Sequence, residues 1–357
     1  MATGRSRYMR NPILGAAAFN WLVVISVFNA GCGQPLNLTQ QGAGRVRCGA
    51  VRCLAFSPDG EVLAAGTAEG TVLVRNTKAG GERVLLQNDS GPIYSIAYSP
   101  DGKSFAASSS DGSIWIWNAK TWTRRLVLHH PDGASSISFS PDGMTLASAG
   151  VGGGGKLHMW SVKTGKEQKA YDVGDTCHIA FSQSGKLIAL AMEDAEGATE
   201  VIRVMDGKQV ARFIAHEDKQ AGFVGTTYLS FSPKKDMLAT GGVDKIIKLW
   251  DPVTGKLMKS LEGHTQSLIR CIAFSPDGRT LASSTSLGPK RQGEVILWDL
   301  ERGRRIAQIK GQGTGVCAVA FSPDGKTLAV GREDGSMALT DVAKSLENGK
   351  EEGERRE

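Results

Sequence analysis

A five-residue stretch, an aromatic residue followed by Ser-Pro-Asp-Gly or a close variant, recurs along the chain and decides its fold. Successive aromatic residues are separated by 42, 41, 42, 50, 43 and 47 positions. The chain is therefore built from seven copies of one unit. The copies are FSPDG at 56–60, YSPDG at 98–102, FSPDG at 139–143, FSQSG at 181–185, FSPKK at 231–235, FSPDG at 274–278 and FSPDG at 321–325.

The pentad has the chemistry of a hairpin turn. Ser, Pro, Asp and Gly in this order favour a type I turn, because Pro fixes φ near −65° and Gly accepts positive φ. Such a turn, closed by a glycine bulge, joins two antiparallel strands. The flanking segments alternate between apolar and other residues with a period of two, which predicts strands on both sides. The first three examples are VRCLAF with VLAAGT, IYSIAY with SFAASS, and SSISFS with TLASAG.

A third predicted strand follows in each repeat after a turn of variable length. A period of about 40–45 residues with four short strands is typical of one propeller blade. The third strands are VLVRN, IWIWN, LHMWS, VIRVMD, IKLWD, VILWD and MALTD. Their endings resemble the Trp-Asp signature of the WD40 repeat family, and Gly263-His264 resembles its Gly-His pair. The resemblance covers residues from about 36 to 343 and implies an all-β, seven-bladed β-propeller with four antiparallel strands per blade.

Ring closure needs a further strand. WD40 rings are closed by a blade that both chain ends share, and the last repeat ends at Asp341-Val342 before a tail that is too charged to form an outer strand. We therefore expect residues 36–46 to provide it. The predicted domains are an export signal or signal anchor at 1–31, a linker with the ring-closing strand at 32–50, the propeller at 51–343 and a charged flexible tail at 344–357.

The N-terminus has the pattern of an export signal. Residues 1–12 contain three arginines and no acidic residue, and residues 13–30 are mostly apolar. Cys32 resembles the lipid-bearing cysteine of bacterial lipoproteins, although Asn29 stands where that pattern has an aliphatic residue. The apolar segment is also about long enough to cross a bilayer as a retained anchor. Acylation at Cys32, simple cleavage and retention thus remain three alternatives, and each predicts an exported protein of the cell envelope, membrane-tethered or periplasmic.

Charge and motifs argue against nucleic-acid binding and catalysis. The net charge is +6, but six arginines precede the first acidic residue, Asp59, so the rest of the chain is close to neutral. The six histidines are scattered, and no metal-binding, phosphate-binding or nucleophile motif is present in the sequence. We predict a non-enzymatic protein that needs neither cofactor nor metal. The cysteines form no C-x-x-C pair, and four of them precede a pentad aromatic by three or four residues, which favours a packing role.

The resemblance also implies a buried polar network within single repeats. In WD40 blades a His before the first strand, a Ser or Thr of the second, an Asp of the following turn and the Trp of the third are joined. Only the fifth repeat carries all four, which are His216, Thr240, Asp244 and Trp250. The sixth has His264, Ser283 and Trp298 but lacks the Asp, and the second has Ser108, Asp111 and Trp117 but lacks the His. These residues are predicted to be structural and not catalytic.

Expanded loops predict a surface for partner proteins. Four long connections, 151–156, 193–200, 217–225 and 286–294, belong to repeats three to six and fall on one face. Lys219, Phe223, Lys290 and Arg291 are the expected contacts. The predicted function is a protein–protein interaction scaffold, monomeric and in contact with the membrane only through its N-terminus. A periplasmic sensor that binds a small ligand in the central channel is the alternative, and a spacer that only positions its anchor is a third.

Overall fold

The computed structural model describes residues 49–89, 91–152, 155–194, 196–218, 223–265, 267–285, 293–310 and 314–347. The predicted export segment, Cys32 and the predicted ring-closing segment 36–46 lie outside these residues. Within them, the chain forms seven antiparallel sheets in succession and one short hairpin.

The strands follow one another in chain order within each sheet. By blade, they are β1 (Val51–Phe56), β2 (Val62–Thr67), β3 (Thr71–Asn76) and β4 (Gly80–Gln87); β5 (Ile93–Tyr98), β6 (Ser104–Ser109), β7 (Ser113–Asn118) and β8 (Arg124–His129); β9 (Ser136–Phe139), β10 (Thr145–Ala149), β11 (Lys156–Ser161) and β12 (Glu167–Asp172); β13 (Thr176–Phe181), β14 (Leu187–Met192), β15 (Thr199–Arg203) and β16 (Gln209–Phe213); the hairpin β17 (Glu217–Asp218) and β18 (Phe223–Val224); β19 (Thr226–Phe231), β20 (Leu238–Gly242), β21 (Ile247–Trp250) and β22 (Leu257–Leu261); β23 (Ile269–Phe274), β24 (Thr280–Thr285), β25 (Glu294–Asp299) and β26 (Arg304–Lys310); and β27 (Val316–Phe321), β28 (Thr327–Arg332) and β29 (Met337–Asp341).

This architecture confirms the predicted all-β, seven-bladed propeller. Six blades have four strands, and the described part of the seventh blade has three, β27 to β29. The fourth strand of blade 7 was predicted within residues 36–46, so that prediction falls outside the described chain.

The pentads form tight turns because their polar side chains satisfy the turn backbone. In the first copy the Ser57 hydroxyl donates to the Asp59 carboxylate at 2.5 Å, and the Glu61 amide donates to the same oxygen at 3.0 Å. These bonds, led by that of Ser57, hold the pKa of Asp59 below its usual range. Gly60 ends the turn with a φ of 73°, a backbone conformation that is unfavourable for residues with a side chain. The Ser–Asp bond recurs in the other four Ser-Pro-Asp-Gly copies. In the fourth copy Ser184 takes the place of the Asp, and in the fifth the Ser232 hydroxyl accepts the amides of Lys234 and Lys235.

Apolar side chains between adjacent blades form the core. The residue two positions before the pentad aromatic is buried in six blades and packs against the neighbouring sheet. These residues are Ile96, Ile137, Ile179, Leu229, Ile272 and Val319.

Blades 7 and 1 pack directly against each other. A Cβ atom added to Gly331 of β28 would lie 2.5 Å from Cγ1 of Val51 in β1. At the pentad turns, a Cβ on Gly60 would lie 3.4 Å from Cδ of Pro323. The described residues thus close the ring by side-chain packing.

A short helix follows blade 7. Residues 342–347 are helical, and the amide of Lys344 donates to the Asp341 carboxylate at 3.1 Å, as in a helix N-cap. Val342 and Leu346, one turn apart, pack against the core shared by blades 6 and 7. The predicted boundary between propeller and tail, at residue 343, therefore falls inside a packed helix. In the part of the chain that the structure describes, no helix has the length and hydropathy needed to cross a membrane.

Candidate functional site

The propeller has two ends, which we call the loop face and the pentad face. The loop face carries the loops before the first strands and the turns after the second strands, and the pentad face carries the seven pentad turns. Three of the predicted partner contacts, Lys219, Lys290 and Arg291, lie outside the described residues. The backbone of the fourth, Phe223, pairs with Asp218 in the β17–β18 hairpin on the loop face.

The structure brings together all four residues predicted for the fifth-repeat network. The His216 ring nitrogens lie 2.7 Å from an Asp244 carboxylate oxygen and 2.7 Å from the Thr240 hydroxyl. The indole N–H of Trp250 donates to the same hydroxyl at 2.8 Å. Lys248 adds an ammonium group that donates to Asp244 at 2.8 Å. Thr240 therefore accepts and relays hydrogen bonds at the centre of blade 5.

The electrostatics of this network fit a structural role. Burial lowers the pKa of His216, and its bond with Asp244 only partly opposes that effect, so the ring is neutral near pH 7. Burial alone would raise the pKa of Asp244, but hydrogen bonds and charge from His216 and Lys248 hold it below its usual range. His216 and Thr240 are both 0% exposed. A buried hydroxyl and imidazole that solvent and substrate cannot reach stabilise the blade and do not form a catalytic triad.

The sixth blade has an acidic residue in its network, although sequence analysis found no Asp for that position. Glu294, the first residue of β25, lies 3.0 Å from His264 Nδ1 and also accepts the Thr265 amide at 3.0 Å. The other His264 nitrogen lies 2.6 Å from the Ser283 hydroxyl, to which Trp298 donates at 2.7 Å. The longer Glu side chain reaches from the strand to the place that Asp244 occupies from a turn in blade 5. In the sequence, the acidic residue directly before VILWD is the signal that could have identified Glu294.

Other blades contain parts of the network. In blade 3 the indole of Trp160 donates to the Ser148 hydroxyl at 2.8 Å, and His130 lies 3.2 Å from the Lys156 carbonyl oxygen. In blade 2 Asn88 occupies the loop where a His was missing, and its amide donates to the Ser109 hydroxyl at 3.0 Å. Polar residues in this loop therefore stabilise several blades with different side chains.

Side chains in the first strands, or directly before them, connect adjacent blades around the channel. The Ser135 hydroxyl donates to the Thr176 carbonyl oxygen at 2.8 Å, and the Thr227 hydroxyl donates to that of Ile269 at 2.5 Å. Cys177 and Cys271 make similar, weaker contacts from their thiols to the next blade. All four cysteines among the described residues are free, and burial raises the pKa of each. The channel wall is thus cross-linked by hydrogen bonds and contains no activated thiol within the described chain.

Bulges in the first strands place charged residues at the loop-face end of the channel. The register shifts after the first residue of β1 and of β23, so that Arg52 and Arg270 occupy bulge positions. These blades, 1 and 6, flank blade 7. The guanidinium carbon of Arg52 lies 5.0 Å from the centre of the Tyr94 ring, within cation–π range. Burial lowers the pKa of Arg52, and the nearby charge of Arg270 acts in the same direction.

Blade 4 presents carboxyl groups on the opposite side of the ring. The Glu193 amide donates to the Asp175 carbonyl oxygen at 2.8 Å, which brings the two acidic residues together. Burial, and then the negative charge of Asp175, raise the pKa of Glu193 to about 7. The loop-face end of the channel therefore has cationic groups from blades 1 and 6, with the Glu333 carboxylate of blade 7 in the same region, and acidic groups from blade 4.

A cavity of about 390 Å³ occupies the pentad-face end of the channel. A second cavity of about 220 Å³ shares Ala180, Ser230 and Phe231 with it, so the two adjoin. The residues around the larger cavity are mostly apolar, and none is charged. They are Leu54, His178, Ala180, Tyr228, Leu229, Ser230, Phe231, Pro233, Ile272, Ala273, Phe274, Pro276, Val319, Ala320 and Phe321.

The described residues contain no cluster of three or more His, Cys, Asp or Glu side chains that could hold a metal ion. The sequence allowed for a ligand in the central channel, but it gave neither the lining of the cavity nor the arginine pair. The cavity depends on which blades become neighbours, and the arginine pair depends also on the strand bulges.

Comparison with known proteins agrees with the repeat pattern. A family described as the first β-propeller of IFT122 matches residues 50–341. The WD repeat-containing protein SL1-17 of Schistosoma mansoni is 28% identical over 180 residues, which are 50% of this chain and 54% of that protein. The uncharacterized WD repeat-containing protein sll1491 of Synechocystis is 27% identical over 152 residues, 40% of this chain and 39% of that protein.

Telomerase protein component 1 of Mus musculus is 26% identical over 205 residues, which are 57% of this chain but 7% of that protein. The chain thus spans about half or less of the length of these curated relatives. The likeness concerns the repeats, and the remaining parts of those proteins have no counterpart in the comparison.

Proposed function

We propose that this chain, which belongs to the family described as the IFT122 first β-propeller and so to the WD40-repeat propellers, is a scaffold that binds partner proteins through its loop face. WD40 propellers are generally non-catalytic and have protein partners in general. The observation that carries the choice of face is the pair Arg52 and Arg270, held at the channel mouth by strand bulges. Arg52, held against the Tyr94 ring, favours a partner segment that carries carboxylates, and Arg270 adds positive charge beside it.

The expanded loops extend this proposed surface. Lys219, Phe223, Lys290 and Arg291 belong to connections on the same face, and three of these residues are cationic. Lys219 follows Glu217 and Asp218 in the sequence, so the loop 286–294 with Lys290 and Arg291 supplies most of the added positive charge. Positive charge on the loop face would speed the encounter with an acidic partner and orient it. We propose that the propeller acts as a monomer in this interaction.

Charge reversal tests the proposed surface. Purified tagged protein is cross-linked in envelope extract, and partners are quantified for the wild type, for Arg52→Glu with Arg270→Glu, and for Lys290→Glu with Arg291→Glu. Loss of the same partner from both double variants is expected. Arg83→Glu, on the exposed fourth strand of blade 1, is the matched control and should retain it. Equal capture by all four proteins would contradict the assignment of the loop face.

We further propose that the protein is exported and tethered to the cell envelope through acylated Cys32, and that this N-terminus is its only contact with the membrane. Support comes from the three arginines of residues 1–12, the apolar segment 13–30 and the position of the cysteine. Mass spectrometry of the mature N-terminus distinguishes the three possibilities. An acylated Cys32 that is lost in Cys32→Ser supports the proposal, whereas a free N-terminus after cleavage or an intact apolar segment contradicts it.

A second candidate function, binding of a small molecule in the channel, is favoured by the uncharged cavity on the pentad face. It uses the opposite end of the channel, so it is compatible with a partner on the loop face.

A further inference from the structure

The channel cavity on the pentad face has the size and composition of a site for a small molecule. Its volume of about 390 Å³ lies within the range of about 300–1,000 Å³ that is typical of ligand pockets. Such pockets are mostly apolar and contain a few polar groups that orient the ligand. Here the alanines at 180, 273 and 320 leave space, and aromatic rings of three pentads border it.

His178 supplies a polar atom that the described protein does not use. Its Nδ1 is buried and has no hydrogen-bond partner among the described residues, although buried polar atoms are nearly always paired. The ring centre lies 3.9 Å from that of Tyr228, at an angle of 40°, so the two rings form one aromatic wall. This wall borders the cavity.

The charge state of the wall restricts the class of ligand. Burial lowers the pKa of His178 to about 4, so the imidazole is neutral near pH 7. Burial also raises the pKa of Tyr228 well above its usual value, so the phenol keeps its proton. Because no Lys, Arg, Asp or Glu borders the cavity, an ion would find no counter-charge there.

We propose that this cavity binds a small, neutral, aromatic molecule that carries one hydroxyl or amine group and hydrogen-bonds to His178 Nδ1. This nitrogen is covered in the unliganded protein, so the imidazole has to turn toward the cavity to make the bond. The aromatic part lies against the rings of His178 and Tyr228, and the three alanines provide the space for it. This inference rests on the second candidate function. It is independent of partner binding at the loop face, so either can fail alone.

The test is a calorimetric titration of the full-length protein with 1-naphthol, a neutral aromatic molecule with one hydroxyl group. The calorimeter cell and the syringe contain the same detergent. Partition of 1-naphthol into the detergent micelles then adds only a non-saturable background heat. The wild type should show saturable binding of one molecule. Ala180→Leu and Ala320→Leu fill the cavity and should each weaken binding at least tenfold. Ala97→Leu introduces the same side chain at the equivalent position of blade 2, outside the cavity, and should bind like the wild type.

The role of His178 is tested separately. His178→Phe keeps an aromatic ring but removes the nitrogen, so binding should weaken severalfold, whereas His178→Gln keeps a hydrogen-bonding group and should bind more tightly than His178→Phe. Unchanged affinity in His178→Phe would overturn the assignment of Nδ1.

Hydrogen exchange of the wild type decides the case even where a variant fails to fold. Peptides that contain β13 and β19 should exchange more slowly when 1-naphthol is added. Absence of both saturable heat and added protection would overturn the whole inference, while the loop-face proposal would be unaffected.

Discussion

Glu193 shows how one side chain makes stability depend on pH. Its pKa is about 7 in the folded protein, against an ordinary 4.5, mainly because of burial and then because of Asp175. Between these pH values Glu193 is already deprotonated in the unfolded chain but still protonated in the folded protein. The free energy of unfolding therefore falls as pH rises from about 4.5 to 7 and stays lower above that range. We therefore expect Glu193→Gln to stabilise the protein at pH 8 by about 1 kcal/mol, since the half-exposed side chain is screened by solvent.

The measurement for Glu193 is the difference in melting temperature between variant and wild type at pH 5 and at pH 8. The difference should be larger at pH 8. Asp175→Asn removes the neighbouring charge and should move the pH midpoint of the effect downward. An identical difference at both pH values would show that Glu193 does not titrate in this range.

Thr240 tests the polar network at the same scale. Its hydroxyl is shared by His216 and Trp250, both at hydrogen-bonding distance, so Thr240→Val leaves two buried polar groups without their partner. The expected loss in free energy of unfolding is about 2–4 kcal/mol. Urea denaturation measures it, with Thr254→Val in an exposed turn as the control that should change little. A loss as small as that of the control would mean that the network contributes no stability.

At the scale of single elements, local sequence determined what could be predicted. The pentad turns and the strands beside them were predicted because Ser, Pro, Asp and Gly act within five residues. Glu294 was missed because it reaches from a strand to a place usually filled from a turn. The helix at 342–347 was missed because the segment after Asp341 as a whole is rich in charged residues, although Val342 and Leu346 lie on one helical face. The channel cavity depends on contacts between blades that are distant in sequence, so no local pattern could reveal it.

The sequence predicts that residues 36–46 pair with the outer edge of β29. Leu339 in this strand is 39% exposed, whereas Leu297 at the equivalent position of β25, which has a fourth strand beside it, is 0% exposed. An open strand edge leaves backbone groups unpaired. Deletion of residues 36–46 should therefore destabilise the propeller by about 3 kcal/mol, as expected for the loss of several ladder hydrogen bonds.

Thermal melting of the wild type, of the protein that lacks residues 36–46 and of a control deletion measures this effect. Deletion of residues 348–357 is the control, because these residues follow the helix at 342–347 and were predicted to form a charged tail. If both deletions lower the melting temperature equally, another segment completes blade 7.

At the scale of the whole molecule, stability depends on the contact between the first and the last blade. Gly331 lies so close to Val51 that an added Cβ would be 2.5 Å from Cγ1, and a second contact joins Gly60 to Pro323. Gly331→Ala should therefore cost about 1–3 kcal/mol through overpacking. Val51→Ala removes the methyl groups that the new Cβ would meet, so the double variant should lose less stability than the sum of the single variants.

A double-mutant cycle in urea measures this coupling, for which about 0.5–3 kcal/mol is expected between residues in contact. The control combines Gly331→Ala with Ile93→Val. Ile93 contacts Gly66 at the next blade boundary, away from Gly331, so the effects of these two substitutions should be additive. Because residues 51 and 331 are joined only by closure of the ring, additive behaviour of Gly331→Ala and Val51→Ala would mean that the blades form an open arc in solution. Coupling in the predicted direction would instead show that blades 1 and 7 are in contact in solution, so that a closed ring supports both faces of the channel.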